Sequence, residues 1–151
     1  MSFAKLGLAP EIVNAVTEFG YTEPTAIQEQ AIPVILAGGD ILAGAQTGSG
    51  KTAAFTLPIL HMLSNKSVKG PSEGRPPIRA LILVPTRELA AQVEECIIDY
   101  GKHLKLTSMV MIGGVSINPQ IKALRSRVDI LVATPGRLLD HVAQGTLNLS
   151  Q

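Results

Sequence analysis

The most informative segment of the chain is Asp40-Ile41-Leu42-Ala43-Gly44-Ala45-Gln46-Thr47-Gly48-Ser49-Gly50-Lys51-Thr52. Its first part, 40–45, is a short apolar run that predicts a β-strand. Its last residues lead into the apolar pattern of 51–63, which predicts an α-helix that Pro58 is expected to kink. A strand that passes into a helix through a glycine-rich turn is typical of parallel α/β sheets.

The turn between this strand and helix has the composition of a phosphate-binding loop (P-loop), although it begins with Ala45 where the general pattern has glycine. Glycine lets the backbone approach a phosphate closely, and backbone N–H groups at the start of a helix favour an anion. Lys51 would contact the β- and γ-phosphates and the Thr52 hydroxyl would bind Mg²⁺, so these two are the candidate catalytic residues and Thr52 the candidate metal ligand. The alternative is a glycine-rich turn with an incidental lysine, which the flanking strand and helix disfavour. The candidate phosphate-binding residues are Ala45, Gln46, Thr47, Gly48, Ser49, Gly50, Lys51 and Thr52.

The rest of the chain alternates between helical patterns and apolar runs. Helices are predicted at 12–19 and 26–36, the second with Thr25 as N-cap, and the run 79–84 predicts a strand buried on both faces. The glycine- and proline-rich stretch 65–77 predicts a surface loop. The remaining predicted elements are strands at 107–112 and 129–133 and helices at 87–100, 117–125 and 136–144. The sequence therefore predicts an α/β fold with a parallel sheet flanked by helices and with ligands at the carboxyl ends of its strands.

Composition narrows the class of protein further. With 151 residues and 46% hydrophobic residues the chain is long and apolar enough for one globular domain. A net charge of +1 excludes a strongly basic nucleic-acid-binding arm. The single cysteine, Cys96, excludes an internal disulfide, and no apolar stretch is long enough to span a membrane. We therefore expect a cytoplasmic protein.

The segment Gly20-Tyr21-Thr22-Glu23-Pro24-Thr25-Ala26-Ile27-Gln28 resembles the Q motif of DEAD-box RNA helicases, and the isolated aromatic Phe3 lies upstream of it, as in that family. The resemblance implies that Gln28 bonds the adenine edge of ATP, that Phe3 stacks on the base, and that Tyr21 and Thr22 belong to the nucleotide site. A carboxamide suits this role because its adjacent donor and acceptor match adenine N6 and N7. Without the surrounding motif, Gln28 would be an ordinary helix-surface glutamine.

Four further segments resemble DEAD-box motifs in the family order. Residues 45–52 resemble motif I, 85–89 motif Ia, 113–114 the GG motif and 134–137 motif Ib, while the linking stretch 114–120 is most similar to the bacterial RhlE type. The resemblance covers the chain and implies a RecA-like P-loop NTPase domain with its Q motif within 3–28. It also implies an ATP-dependent RNA helicase, that is, an ATP hydrolase that unwinds or remodels RNA duplexes.

The motifs after the predicted strands imply RNA contacts. Helix N-termini, hydroxyl groups and close glycine backbone suit phosphate oxygens and do not distinguish bases, so we expect RNA binding with little sequence preference. The candidate RNA-binding residues are Pro85, Thr86, Arg87, Gly113, Gly114, Thr134, Pro135, Gly136 and Arg137. Taken singly, Thr86 and Thr134 could be N-caps, Arg87 could pair with Glu88 or Glu94, and the diglycine could be a simple turn.

Parts of the family pattern are expected beyond Gln151. The Asp-Glu-Ala-Asp segment and the second motor domain do not occur in residues 1–151, so we expect a partial first RecA-like domain that lacks two central strands and by itself lacks turnover. Unpaired strand edges would favour self-association, and the remainder of the helicase core would be a natural partner. The alternative is a truncated, non-catalytic nucleotide- or RNA-binding module. A small P-loop kinase would give no reason for the other motifs.

Overall fold

The computed structural model describes residues 2–46, 48, 50–64 and 78–149. The chain divides into two compact units, one formed by 1–66 and 96–105 and the other by 67–95 and 106–151. The loop predicted at 65–77 lies outside the described residues, as do Thr47 and Ser49 of the predicted phosphate loop.

The first unit is helical. A 3₁₀ turn at Phe3–Leu6 is followed by α1 (Pro10–Glu18), α2 (Ala26–Leu36) and α3 (Lys51–Ser64), and α2 packs against α3. The core of this unit includes the large aliphatic side chains of Ile12, Ile32, Leu57 and Leu60, which are at most 1% exposed. Thr25 is the N-cap of α2, as predicted, and α3 begins at Lys51 directly after the glycine-rich turn.

The second unit is an α/β unit with a three-stranded parallel sheet. Its strands are β1 (Ala80–Leu83), β2 (Ser108–Met111) and β3 (Ile130–Ala133), in the order β1-β3-β2. The central strand β3 is 0% exposed at all four residues, so both of its faces are covered. Its helices are α5 (Asn118–Ala123) and α6 (Pro135–Ala143), whereas α4 (Arg87–Tyr100) contributes residues to both units. Leu138 of α6 packs with Met111 and Leu131 of the sheet.

Two predictions about strands were wrong. Residues 40–45 form no strand, and Leu42 is fully exposed. A strand exists only where its backbone groups are paired, and none of the strands in the described part of the chain pairs with this segment. The run 79–84 is not buried on both faces, because Leu81 and Leu83, which share one face of β1, are 39% and 54% exposed. The self-association expected from unpaired edges stays a prediction.

A buried carboxylate joins the starts of the strands. The Asp129 side chain, which is 2% exposed, accepts hydrogen bonds from the Thr107 backbone N–H at 2.9 Å and from the Thr107 hydroxyl at 3.2 Å. Its other oxygen accepts from Arg127 Nε at 3.1 Å and lies 3.6 Å from Arg79 Nη1. Since Arg79 precedes β1, Thr107 precedes β2 and Asp129 precedes β3, this cluster fixes the relative position of all three strands.

The helices of the described residues include none with both the length and the apolar character needed to cross a bilayer. The cytoplasmic location stays a prediction.

Candidate functional site

The phosphate loop predicted at 45–52 turns sharply before α3. Gly48 and Gly50 have φ angles of +82° and +85°, in the left-handed region that favours glycine. A Cβ atom at Gly50 would also contact Gln28 Nε2, and the left-handed φ angle there strains any other residue. Lys51 opens α3 with an exposed side chain, and Thr52 follows half-buried. The first turn of α3 therefore carries the Lys51 ammonium group and the Thr52 hydroxyl, next to the glycine at position 50.

Gln28 is buried and holds this loop. It is 6% exposed, so it is not the ordinary surface glutamine that it would be without its motif. Its Oε1 accepts a hydrogen bond from the Thr25 backbone N–H at 3.0 Å, and its Nε2 donates to the Gly50 carbonyl oxygen at 3.2 Å. One amide hydrogen and one lone pair of the carboxamide remain for other contacts. The predicted adenine-binding residue thus also connects α2 with the phosphate loop.

The other residues predicted for the nucleotide site lie in different surroundings. Phe3, in the 3₁₀ turn that contacts α1 and α2, is 5% exposed, so its ring packs mainly against protein. Tyr21 is 55% exposed, and its ring meets the ring of Tyr100 edge to face with centroids 6.4 Å apart. Thr22 is exposed. The structure therefore brings Gln28 to the phosphate loop and sets Tyr21 against Tyr100.

In the second unit, the segments predicted to bind RNA meet at the carboxyl ends of the strands. Gly114 follows β2 with a φ angle of +77°, and a Cβ atom there would lie 3.0 Å from Arg87 Nη1, at the start of α4. The Arg87 side chain is 57% exposed and lies 3.6 Å from Glu88, one of the two ion pairs considered for it. A diglycine backbone and an accessible guanidinium are therefore side by side.

The two threonines at helix starts differ. Thr86 caps α4, because its hydroxyl oxygen accepts a hydrogen bond from the Leu89 backbone N–H at 3.2 Å. Thr134 occupies the N-cap position of α6 without a side-chain capping bond, and Pro135 and Gly136 after it are exposed. The N-terminus of α6 is therefore open to solvent.

Arg137 is largely withdrawn from solvent. Its side chain is 12% exposed, its Nη1 donates to Gln120 Oε1 at 3.2 Å, and its Nη2 donates to the Val115 carbonyl oxygen at 2.9 Å. Its Nε lies 3.5 Å from Asp140 Oδ2. The guanidinium predicted to touch RNA thus joins α6 to the loop after β2.

Sequence reasoning missed two residues beside Arg137. Gln120 is 8% exposed, and His141 on α6 is completely buried. Burial lowers the pKa of His141 below its ordinary value, and the neighbouring Arg137 guanidinium lowers that pKa further, against an opposite effect of Asp140. The ring is therefore neutral at physiological pH. A histidine on the apolar face of an amphipathic helix was the available signal for its burial.

A family model described as DEAD/DEAH box helicase matches residues 25–151. The chain belongs to the DEAD/DEAH box helicase family. The fold is similar to that of a solved DEAD box protein from the hyperthermophile Methanococcus jannaschii, with a TM-score of 0.85 and 44% sequence identity. That match covers 99% of this DEAD/DEAH box helicase chain and 39% of the other chain. The predicted RecA-like α/β class is confirmed.

Curated relatives of this DEAD/DEAH box helicase chain come from several bacteria. The "ATP-dependent RNA helicase DeaD" of Escherichia coli (strain K12) is 47% identical over 151 residues, covering 99% of the chain and 23% of the relative. The "DEAD-box ATP-dependent RNA helicase RhpA" of Helicobacter pylori (strain ATCC 700392 / 26695) is 44% identical over 141 residues, covering 93% and 27%. The chain thus spans about a quarter of the length of these relatives. They do not separate an RhlE type from a DeaD type, so the RhlE resemblance stays a prediction.

Proposed function

We propose that the chain is the ATP- and RNA-binding part of an ATP-dependent RNA helicase that remodels RNA duplexes without reading their sequence. The observation that carries this proposal is the bond from Gln28 to the Gly50 carbonyl, which joins the proposed base-binding residue to the proposed phosphate loop. The printed names of the relatives, ATP-dependent RNA helicases, support the same function. Hydrolysis, the rest of the helicase core as partner, and a cytoplasmic location belong to the proposal for the whole protein.

The phosphates of ATP are proposed to lie on the loop before α3. The N-terminus of this helix carries unpaired N–H groups and a partial positive charge, and Lys51 adds a full charge at its first residue. Gly48 leaves open the space that a side chain would occupy, and Gly50 leaves room for the Gln28 carboxamide. The other proposed contacts on this loop are Ala45, Gln46, Thr47 and Ser49.

The Thr52 hydroxyl is the proposed Mg²⁺ ligand. It is a hard oxygen donor one residue after Lys51, half-buried at the first turn of α3, and this chemistry fits Mg²⁺. The ion would neutralise charge on the β- and γ-phosphates when bound. Thr52 itself would contribute one oxygen and keep it at a fixed place on the helix.

The remaining donor and acceptor of Gln28 are proposed to select adenine, with Phe3, Tyr21 and Thr22 around the base. Replacing Gln28 with alanine is expected to weaken ATP binding and to reduce the preference for ATP over GTP by about tenfold, because one or two hydrogen bonds worth about 1 kcal/mol each are lost. Competition titrations of ATP and GTP against a fluorescent ATP analogue measure that preference.

The matched control for Gln28 is Gln30→Ala, since Gln30 is an exposed glutamine on the same helix. It should leave both affinities unaltered. Gln28→Ala also loosens the bond to Gly50, which weakens ATP and GTP alike, so the ratio of the two affinities is the deciding quantity. An unaltered ratio would show that Gln28 does not contact the base.

The RNA backbone is proposed to lie on Arg87, on the diglycine Gly113-Gly114 and on the open N-terminus of α6, with Pro85, Thr86, Thr134, Pro135 and Gly136 beside it. Replacing Arg87 with alanine is expected to weaken binding of labelled oligouridylate and oligoadenylate to the same extent, since a phosphate contact carries no base information. The slope of the logarithm of affinity against that of salt concentration should fall by about one. Fluorescence anisotropy at several salt concentrations measures both quantities.

The control for Arg87 is Arg125→Ala, which removes the same charge from another exposed position in the second unit. It should change RNA affinity much less. Equal effects of the two substitutions would mean that net charge, and not the Arg87–Gly114 surface, attracts RNA.

A further inference from the structure

The diglycine Gly113-Gly114 is held from both sides by side chains that are largely withdrawn from solvent. The carbonyl oxygen of Ile112, just before it, accepts a hydrogen bond from Gln120 Nε2 at 2.9 Å. The carbonyl oxygen of Val115, just after it, accepts from Arg137 Nη2 at 2.9 Å. Glycine loses more conformational freedom on ordering than any other residue, so two flanking restraints have a large effect on this loop.

Gln120 connects the two restraints. Its Oε1 accepts a hydrogen bond from Arg137 Nη1 at 3.2 Å, while its Nε2 serves Ile112. The orientation of the amide follows from these partners, because a carbonyl oxygen can only accept and a guanidinium can only donate. Gln120 on α5 thereby bonds the start of the loop directly and also orients Arg137, which bonds the end of the loop.

His141 completes this network. Its Nε2 lies 3.1 Å from Gln120 Oε1, which is an acceptor, so Nε2 must carry the ring proton. Its Nδ1 lies 2.8 Å from the Thr146 hydroxyl, which can donate its hydrogen to the neutral ring. The buried histidine thus fixes the Gln120 carbonyl from behind, and both ring nitrogens have a partner.

We propose that Gln120, supported by His141, is a positioning residue that keeps the Gly113-Gly114 backbone in the conformation that receives an RNA phosphate. The inference rests on the proposed function, in which RNA lies on this diglycine and on Arg87. Since Gly114 approaches Arg87 Nη1, a displaced loop would also lose its place beside that guanidinium. A loop ordered before binding avoids the entropy cost of ordering it on RNA.

The main test is Gln120→Met, which keeps the length of the side chain and removes its polar atoms. RNA affinity, measured by anisotropy with labelled oligouridylate on the whole 151-residue chain, should fall by about tenfold, which corresponds to the ordering of one or two loop residues. The slope of the logarithm of affinity against that of salt concentration should equal that of the unsubstituted chain, because no charged phosphate contact is removed. ATP affinity and a cooperative urea transition verify that the variant is folded.

Two variants at position 141 distinguish the hydrogen bond from His141 to Gln120 from the packing of the histidine ring. His141→Phe fills the volume of the ring but removes the donor to Gln120, so it should weaken RNA binding as Gln120→Met does. His141→Gln restores a donor and should recover most of the affinity. If Gln120→Met does not fold, this pair and Gln120→Glu, which keeps the acceptor for Arg137 and loses the donor to Ile112, carry the test.

The outcomes distinguish this inference from the proposed function. If Arg87→Ala weakens RNA binding and Gln120→Met does not, the positioning role is wrong and the RNA surface stands. If Gln120→Met lowers the salt slope as Arg87→Ala does, Gln120 acts as part of a direct contact and the inference is overturned. Unaltered affinity in both variants would overturn the RNA surface together with the inference. A tenfold loss at constant slope, with recovery in His141→Gln, supports the proposal.

Discussion

Replacing Lys51 with alanine is expected to reduce the affinity for Mg²⁺-bound ATP by about a hundredfold, because a charge-assisted contact with phosphate is worth about 1.5–3 kcal/mol. Lys51 is the first residue of α3, and its exposed side chain lies at the positive end of the helix dipole. The substitution should change the free energy of unfolding little, because the Lys51 side chain is exposed. Isothermal titration calorimetry measures the loss directly.

A charge-conserving substitution and a control substitution test this prediction further. Lys51→Arg keeps the positive charge but places it on a planar guanidinium group, so it should retain part of the ATP affinity. Lys102→Ala removes a lysine of the same unit that pairs with Glu18, and it should leave the ATP titration nearly unaltered. An ATP affinity that survives in Lys51→Ala would mean that the triphosphate binds elsewhere.

Replacing Asp129 with alanine is expected to lower the free energy of unfolding by about 3–5 kcal/mol, the cost of breaking a buried ion pair on one side. The carboxylate is 2% exposed and accepts from the Thr107 backbone and hydroxyl and from Arg127, with Arg79 at 3.6 Å. Its removal takes away the acceptor of the Thr107 backbone N–H and the charge partner of Arg127 at the point where the three strands begin. Urea denaturation followed by circular dichroism measures the loss.

Asp140→Ala is the matched control for this second prediction. Its side chain is 60% exposed and lies 3.5 Å from Arg137 Nε, so solvent screens the pair and its loss should cost less than about 1 kcal/mol. Asp129→Asn, which keeps one acceptor oxygen, should fall between the two alanine variants. Similar losses in Asp129→Ala and Asp140→Ala would contradict the role of burial.

The elements that depend on local chemistry could be predicted from residues alone. Thr25 caps α2, glycine precedes the helix that starts at Lys51, and the apolar runs near 79–84, 107–112 and 129–133 contain the three strands. Capping, left-handed turns and strand propensity act over a few residues, so a short segment carries the information. The family followed from such segments in their order along the chain.

The candidate sites were predictable as motifs but not as contacts. Residues Gln28 and Gly50 were both expected at the nucleotide, yet the bond between them could not be foreseen. The bonds from Arg137 to Gln120 and Val115 could not be foreseen either, and its RNA contact stays a prediction. Side chains separated by many residues meet only after helices have packed, and hydrogen-bond partners are chosen by that packing.

Local sequence was enough to specify the glycine-rich turn, the helix after it and the three apolar strands, because backbone sterics and propensity act within each segment. Packing of the whole chain decided which apolar runs were paired and buried. The run 40–45 had every local feature of a strand and formed none, while β1 became an edge strand with Leu81 and Leu83 exposed. A strand needs a neighbouring backbone to bond with, and a segment does not encode its neighbour.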